Sequence, residues 1–332
     1  MRKTFLIVLG LAIITLGTFT YCREFRFRPP PEGFNWNYHQ IQRIPKEDRP
    51  FSFAVLGDNK NSFSTFQNIL HDLDANRDRL AFAVDLGDLV FDGERAKYRI
   101  FYNQIKDVQL PFLVAIGNHD IREKGRAEYY ELFGPFYYAF TVGNARFIVL
   151  DDANQVRLDP SQMEWLKEEL MDAQALSSIF VFLHVPLRDP RPNLSHSLGD
   201  EDQVEELLSL FRTYHVTRVF ASHIHGYFTG EWEGVPYTIT GGGGAELMGT
   251  DPEHYFYHYV VVNVDGGEVT TSVIRFPSPP AELWDRLLHT AAIYIHSFFV
   301  TNGPNLTFIA LALLLAFVVY TTVHGKKKRN RE

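Results

Sequence analysis

The sequence predicts an α/β protein whose sheet is covered by helices on both faces, and three features of its 332 residues predict it. Short apolar runs rich in β-branched and aromatic residues recur through the middle of the chain. Stretches of helical spacing separate them, and nearly every run ends in a carboxylate, an amide or an imidazole. Strands buried on both faces read as unbroken apolar runs. In an open α/β sheet, ligands bind beyond the carboxyl ends of the strands, where polar groups converge without entering the core.

The elements follow in order. Residues 26–50 read as an irregular, extended linker, because Pro29-Pro30-Pro31, Pro45 and Pro50 each fix the backbone and remove a donor. The first strand, 51–56, runs into Gly57-Asp58, and helical spacing follows over 64–76. The second strand, 80–84, leads into Asp85, Gly87 and Asp88; the third, 111–116, into Gly117-Asn118-His119-Asp120. Residues 146–150 form another strand, and Ser161-Gln162-Met163-Glu164 reads as a capping box opening a helix through Leu170. The strand 178–183 ends at His184, helical spacing occupies 203–214, and the strand 218–221 ends at Ser222-His223-Ile224-His225. Beyond Val235 the pattern becomes hairpin-like, with turn signals at Gly241-Gly242-Gly243-Gly244 and Asp265-Gly266-Gly267. No internal repeat is present.

Composition narrows the function classes. With 45% hydrophobic and 22% charged residues the chain can bury a sizeable core, and a single cysteine, Cys22, excludes internal disulfides and cysteine-rich zinc modules. The formal charge is −8, but the basic ends carry +2 (Arg2, Lys3) and +4 (residues 326–332), so residues 4–325 carry −14. An acidic middle disfavours nucleic acid as a partner.

Two apolar stretches lie inside the basic ends. Residues 5–20 and 306–323 approach or match the roughly 17 to 25 apolar residues that a membrane span needs, and the Lys/Arg cluster after the second fits the cytoplasmic flank of a transmembrane helix. The expected organisation is an N-terminal anchor or signal peptide over 1–22, a linker over 23–50 and a catalytic domain over 51–278. An amphipathic membrane-proximal helix over 279–304, a transmembrane helix over 305–324 and a basic cytoplasmic tail over 325–332 complete it. The expected location is a membrane crossed twice, with the catalytic domain outside the cytoplasm.

Taken together, the strand-end residues form an ordered set: Gly57-Asp58-Asn59-Lys60, Gly87-Asp88, Gly117-Asn118-His119-Asp120, His184 and Ser222-His223-Ile224-His225. Carboxylates, an amide and imidazoles in one crevice suit borderline divalent cations such as manganese, iron or zinc. The set resembles the calcineurin-like metallophosphoesterase superfamily, which includes the purple acid phosphatases. Its pattern is Asp-x-His, Gly-Asp, Gly-Asn-His-Asp/Glu, a lone His, and Gly-His-x-His, and the resemblance covers roughly residues 51–275.

The resemblance implies a four-layer αββα sandwich and a phosphoesterase with two divalent ions, manganese foremost. Asp88 would bridge the ions. Asp58 and His225 would complete the first position; Asn118, His184 and His223 the second. His119 would face the substrate, stabilising the phosphoryl group or protonating the leaving oxygen, with Asp120 orienting it. Lys60 and Asn59 would contact substrate. The implied partner is a phosphate ester, mono- or diester, with lipid linkage suggested by the two apolar stretches and by an amphipathic pattern over 283–299.

One departure bears on the chemistry. Lys60 stands where the family pattern places a ligating histidine, and a protonated lysine has no lone pair to give. Phe91 stands where purple acid phosphatases carry a compensating tyrosine. Three arrangements are open: a first ion held by Asp58, Asp88, His225 and solvent; Lys60 replacing part of that ion's charge and contacting phosphate; or a site with one ion. The rival reading is a non-catalytic member that binds phosphorylated ligands.

Overall fold

The computed structural model describes residues 35–46 and 50–279 continuously, with scattered positions at 7, 10 and between 283 and 320. The chain divides into two compact units, Pro30–His289 and Met1–Pro29 with Thr290–Glu332.

The larger unit contains α1 (Trp36–Arg43), β1 (Phe51–Leu56), α2 (Thr65–Ala75), β2 (Phe82–Asp85), α3 (Arg95–Ile105), β3 (Phe112–Val114), α4 (Gly125–Phe133), β4 (Tyr138–Val142) and β5 (Ala145–Val149). Then follow α5 (Pro160–Asp172), β6 (Ser178–Phe182), α6 (Glu201–Thr213), β7 (Arg218–Ala221), β8 (Tyr227–Trp232), β9 (Val235–Thr240), β10 (Tyr257–Asp265) and β11 (Glu268–Phe276). They form two mixed sheets, ordered β11-β10-β1-β2-β3 and β4-β5-β6-β7-β9-β8. Strands β1, β2 and β3, the last at a sheet edge, are parallel, as are β5, β6, β7 and β9; β10, β11, β4 and β8 pair antiparallel.

Strand alternation separates the core into layers. In β1, Phe53 and Val55 enter the apolar layer between the sheets with Phe82, Phe147, Phe180 and Phe220, whereas Ala54 and Leu56 pack on the helical side with Phe66 and Ile69 of α2. The second sheet turns Ile148, Val181 and Val219 toward Leu166 of α5 and Leu207 of α6. The result is the expected αββα layering. Phe53 lies parallel to Phe82 at 5.1 Å and edge-on to Phe147 at 5.2 Å. Aromatic pairs of this kind add about 0.5–1.5 kcal/mol beyond burial, and a Phe→Ala change in such a core costs about 3–5 kcal/mol.

Two local expectations differ from the structure. Within the stretch expected to be an irregular linker, Trp36–Arg43 is helical, opened by the Asn35 side chain accepting the Tyr38 N–H. Its side chains satisfy the exposed side of β3: Trp36 Nε1 donates to the Phe112 carbonyl at 2.7 Å, and Asn37 both donates to and accepts from Val114, at 3.0 and 2.9 Å. The helix α5 starts earlier than the Ser161 box predicts. Asp159 accepts the N–H groups of Ser161 and Gln162, and Pro160 occupies the first turn, where a missing N–H costs nothing.

The two-span membrane location is corrected. No helix among the described residues is long and apolar enough to cross a membrane, since a span needs about 20 consecutive apolar residues in one helix. The described positions of the smaller unit are helical; most of 1–22, part of 279–324 and all of 325–332 lie outside the described residues. The correction leaves the expected membrane partner and the lipid linkage of the substrate without support.

Candidate metal centre

The carboxyl ends of β1, β2, β3, β6 and β7 deliver their loops to one cleft. Backbone bonds tie these loops together: Asp58 N–H to Gly87 O at 3.0 Å, Lys60 N–H to Asp88 O at 2.9 Å, Ser222 N–H to His184 O at 2.9 Å. The turns are tight enough to force Asp58, Lys60, Asn61, Asp88, His223 and His225 to φ values between +44° and +68°. Left-handed backbone at residues with a Cβ costs on the order of 1–3 kcal/mol each, and such strain concentrates at sites of function. Gly117 is required by close approach, because a Cβ there would fall 2.3 Å from the Asp88 nitrogen.

Asp88 occupies the centre. Its Oδ1 accepts the His119 backbone N–H at 2.8 Å and lies 3.4 Å from His184 Nε2; its Oδ2 lies 3.2 Å from Lys60 Nζ. Burial alone would raise its pKa, but His184, Lys60 and His119 hold the carboxyl well below the usual carboxylate range. Asp58 behaves oppositely: burial, reinforced by the Asp88 charge, pushes it up to about 8. Its Oδ2 accepts a 2.6 Å bond from Ser222 Oγ, while its Oδ1 is buried with no hydrogen-bond partner.

On one side of Asp88, the lone pair of His184 Nε2 faces further polar atoms. His184 Nε2 stands 3.0 Å from Asn118 Oδ1 and 3.3 Å from His223 Nδ1. Because His184 Nδ1 bonds to the Leu86 carbonyl at 3.0 Å, the neutral ring turns a lone pair, not a proton, toward Asn118 and Asp88. Burial lowers the pKa of His184, and burial with the neighbouring His184 lowers that of His223 to about 3, so both rings are neutral near pH 7. Lone pairs this close repel unless a cation lies among them. Donors about 2.1 Å from one cation stand about 3.0–3.4 Å apart in octahedral or tetrahedral geometry, which is the spacing found. Asp88, Asn118 and His184 fit a divalent ion, with His223 Nδ1 beside His184.

On the other side, Asp58, Asp88 and His225 bring one ligand atom each within 4.8 Å of one another, all buried. Here Lys60 intervenes: its Nζ lies 3.1 Å from both His225 Nε2 and His119 Nε2. His225 Nδ1 donates to the Glu246 carbonyl and His119 Nδ1 to the Phe91 carbonyl. Burial, with the Lys60 charge adding, lowers the His225 pKa to about 3; burial also lowers that of His119.

Two residues assigned from the sequence lie elsewhere. Asn59 is fully buried and donates to Asp85 Oδ2 at 2.8 Å, so its amide stabilises the loop and does not reach substrate. Asp120 accepts from the Gly117 and Val90 N–H groups and the His119 ring is oriented by the Phe91 carbonyl instead, because the loop's buried N–H groups need an acceptor. Three further residues come to light. Arg122 Nη2 lies 3.0 Å from His119 Nε2, Ser222 holds Asp58, and Asp152 accepts the His184 and Val185 N–H groups. An acidic residue just after the strand 146–150 is the same signal that marked the other loops; Arg122 carries no such signal. The cleft, ≈ 470 Å³, is lined by Lys60, Asn118, His119, His196, His223 and Glu246 among others.

Comparison with known proteins agrees with this geometry. The pattern of the calcineurin-like phosphoesterases matches residues 51–227. The chain belongs to the calcineurin-like phosphoesterase family. Similar members include a phosphoenolpyruvate phosphatase of Allium cepa, 24% identical over 76% of this chain and 54% of that protein. The 3',5'-cyclic adenosine monophosphate phosphodiesterase CpdA of Escherichia coli is 26% identical over 54% of this chain and 66% of its own. The serine/threonine-protein phosphatase CPPED1 of Rattus norvegicus is 28% identical over 50% and 60%. The chain thus spans between about half and two thirds of these relatives' lengths. Among solved structures, the purple acid phosphatase PPD1 of yellow lupin shares the phosphoesterase fold, with TM-score 0.58 and 18% identity over 70% of this chain and 52% of that one.

Proposed function

We propose that this calcineurin-like phosphoesterase is a metal-dependent phosphoric ester hydrolase. The observation that carries the reading is the cluster of Asp88, Asn118 and His223 about the lone pair of His184 at the floor of an open cleft. The mixed carboxylate, amide and imidazole donors suit manganese, with iron or zinc as alternatives. When bound, a divalent ion supplies Lewis acidity toward phosphoryl oxygens and toward water.

The chain's own residues supply the rest. Lys60 and Arg122 place two cationic side chains at the cleft around His119, where the charge of a phosphoryl group is neutralised. His119 is neutral in the free protein, with its Nε2 lone pair facing both. An anionic ester beside it favours the imidazolium, and Nε2 then holds the proton that passes to the leaving oxygen. Asp88 carries a full negative charge and fixes the loops through the His119 N–H. Relatives that bear phosphatase and phosphodiesterase names support ester hydrolysis and leave mono- and diesters both as substrate classes.

A non-catalytic phospho-ligand binder would need the cations and not His119, whose ring lines the cleft with its Nε2 inward. The test compares kcat/KM of the manganese-loaded full chain on a chromogenic phosphomonoester and the matching diester, beside His119→Ala. Turnover reduced in the variant supports the reading; a loaded protein silent on both esters supports the binder.

A further inference from the structure

We propose that the ammonium group of Lys60 holds the first cation position, so that each chain binds one divalent ion, at Asp88, Asn118, His184 and His223, where a two-ion centre would bind two. The inference rests on the reading of this cleft as a metal centre and specifies how many ions it takes.

The geometry that carries it is the set of three acceptors around one ammonium, of which His119 Nε2 also faces Arg122 Nη2 at 3.0 Å. A lysine ammonium has three N–H donors and no acceptor. Lys60 Nζ has three acceptors at 3.1, 3.1 and 3.2 Å: His119 Nε2, His225 Nε2 and Asp88 Oδ2. Both rings have committed Nδ1 to a backbone carbonyl, Phe91 O for one and Glu246 O for the other, so Nε2 holds the one in-plane lone pair of each neutral imidazole. A lone pair serves an N–H or a metal ion, not both. A first ion on His225 would therefore have to displace Lys60 from that ring, although Asp88, with several carboxylate lone pairs, could hold both.

The backbone reinforces this placement. Lys60 has φ +44°, and its N–H bonds to the Asp88 carbonyl at 2.9 Å, so the residue is held to Asp88 at both ends. Its side chain is 12% exposed, which leaves little solvent to compensate an ammonium pushed off these partners. Removing the lysine would leave Asp58, Asp88 and His225 as an open three-ligand set, with Asp58 Oδ1 3.6 Å from His225 Nε2 and already lacking a hydrogen-bond partner.

The experiment counts ions. The full chain is saturated with manganese, desalted and analysed for bound manganese by mass spectrometry, and its electron paramagnetic resonance spectrum is recorded. We expect one manganese per chain with an uncoupled six-line spectrum in the wild type. In Lys60→His or Lys60→Ala we expect a doubling to two, with the spectrum of an exchange-coupled pair. Two ions in the wild type overturn the inference while leaving the metal-centre reading intact. One ion in variants that keep the wild-type circular dichroism and thermal melt shows that Lys60 is not what excludes the second, and also overturns it. A wild type that takes up no manganese sinks both readings. If neither variant folds, the wild-type count decides alone.

Discussion

The ammonium nitrogen of Lys60 lies 3.1 Å from Nε2 of His225, the ring nitrogen that carries the lone pair because Nδ1 donates to the Glu246 carbonyl. The contact divides the centre into two unlike halves about Asp88. One half gathers polar atoms around the lone pair of His184 Nε2; the other already contains a cation. Binding and chemistry should respond differently to substitution in each half.

His184→Ala tests the lone-pair half. The ring is fully buried, and its Nε2 lies between Asn118 and Asp88. Because even outlying partners of metal ligands are worth about 10- to 100-fold in affinity, loss of this ring should weaken manganese binding by at least about 100-fold. Equilibrium dialysis measures it, and unchanged affinity would remove His184 from the ligand set.

His119→Asn separates chemistry from binding. Its side chain meets Lys60, Arg122 and the Phe91 carbonyl and stands 3.9 Å from Asp88 Oδ2, beyond hydrogen-bond distance. We expect manganese content to stay at the wild-type level while kcat falls about 10²- to 10⁴-fold, the usual contribution of a positioned acid. Loss of manganese together with activity would make it structural or ligating.

Much of this could be read before any coordinates. Continuous apolar runs such as 178–183 identify strands, because a doubly covered strand has no solvated face to vary, and the polar residue after each marks the cleft. What could not be read were interactions set by tertiary contact. The helix at Trp36–Arg43 lies in a proline-bounded stretch with little apolar periodicity, and forms because Asn37 and Trp36 find partners on β3. Asn59 and Asp120 stand in motif positions, yet their amide and carboxylate turn to buried loop groups that no one-dimensional pattern records. Lys60 was recognisable as a departure; that its ammonium reaches two imidazoles and Asp88 together was not.

Asn37→Ala measures how far that helix supports the fold. Its amide makes two buried bonds with Val114; the Val114 carbonyl also accepts from the Tyr129 and Tyr138 hydroxyls, so the variant leaves the Val114 N–H unpaired, at a cost of about 1–3 kcal/mol. We expect chemical denaturation to report a loss of about 1–3 kcal/mol. A change under about 0.5 kcal/mol, typical of exposed surface sites, would mean that α1 contributes little.

His258 should govern part of the acid sensitivity. It is fully buried, bonded to Thr240 and the Phe256 carbonyl, and burial lowers its pKa to about 4. The folded state disfavours its protonation, whereas the unfolded state protonates it near 6.5. The stability from this group is present above about pH 6.5 and is lost as pH falls toward 4, by up to about 3 kcal/mol. His258→Gln should flatten the dependence of unfolding free energy on pH over this window. An identical slope in wild type and variant would place the acid sensitivity elsewhere.

The central claim, hydrolysis of phosphate esters that depends on a metal held about Asp88, is tested most directly by a strip-and-reload cycle. The full chain is freed of metal by chelation, then reloaded with manganese, and release of chromophore from a phosphomonoester and a phosphodiester is followed beside Asp88→Asn. The account expects turnover of at least one ester that disappears on stripping, returns on reloading and is absent from the variant at every stage. Turnover that survives stripping, or a reloaded protein with manganese bound and no hydrolysis of either ester, would contradict it.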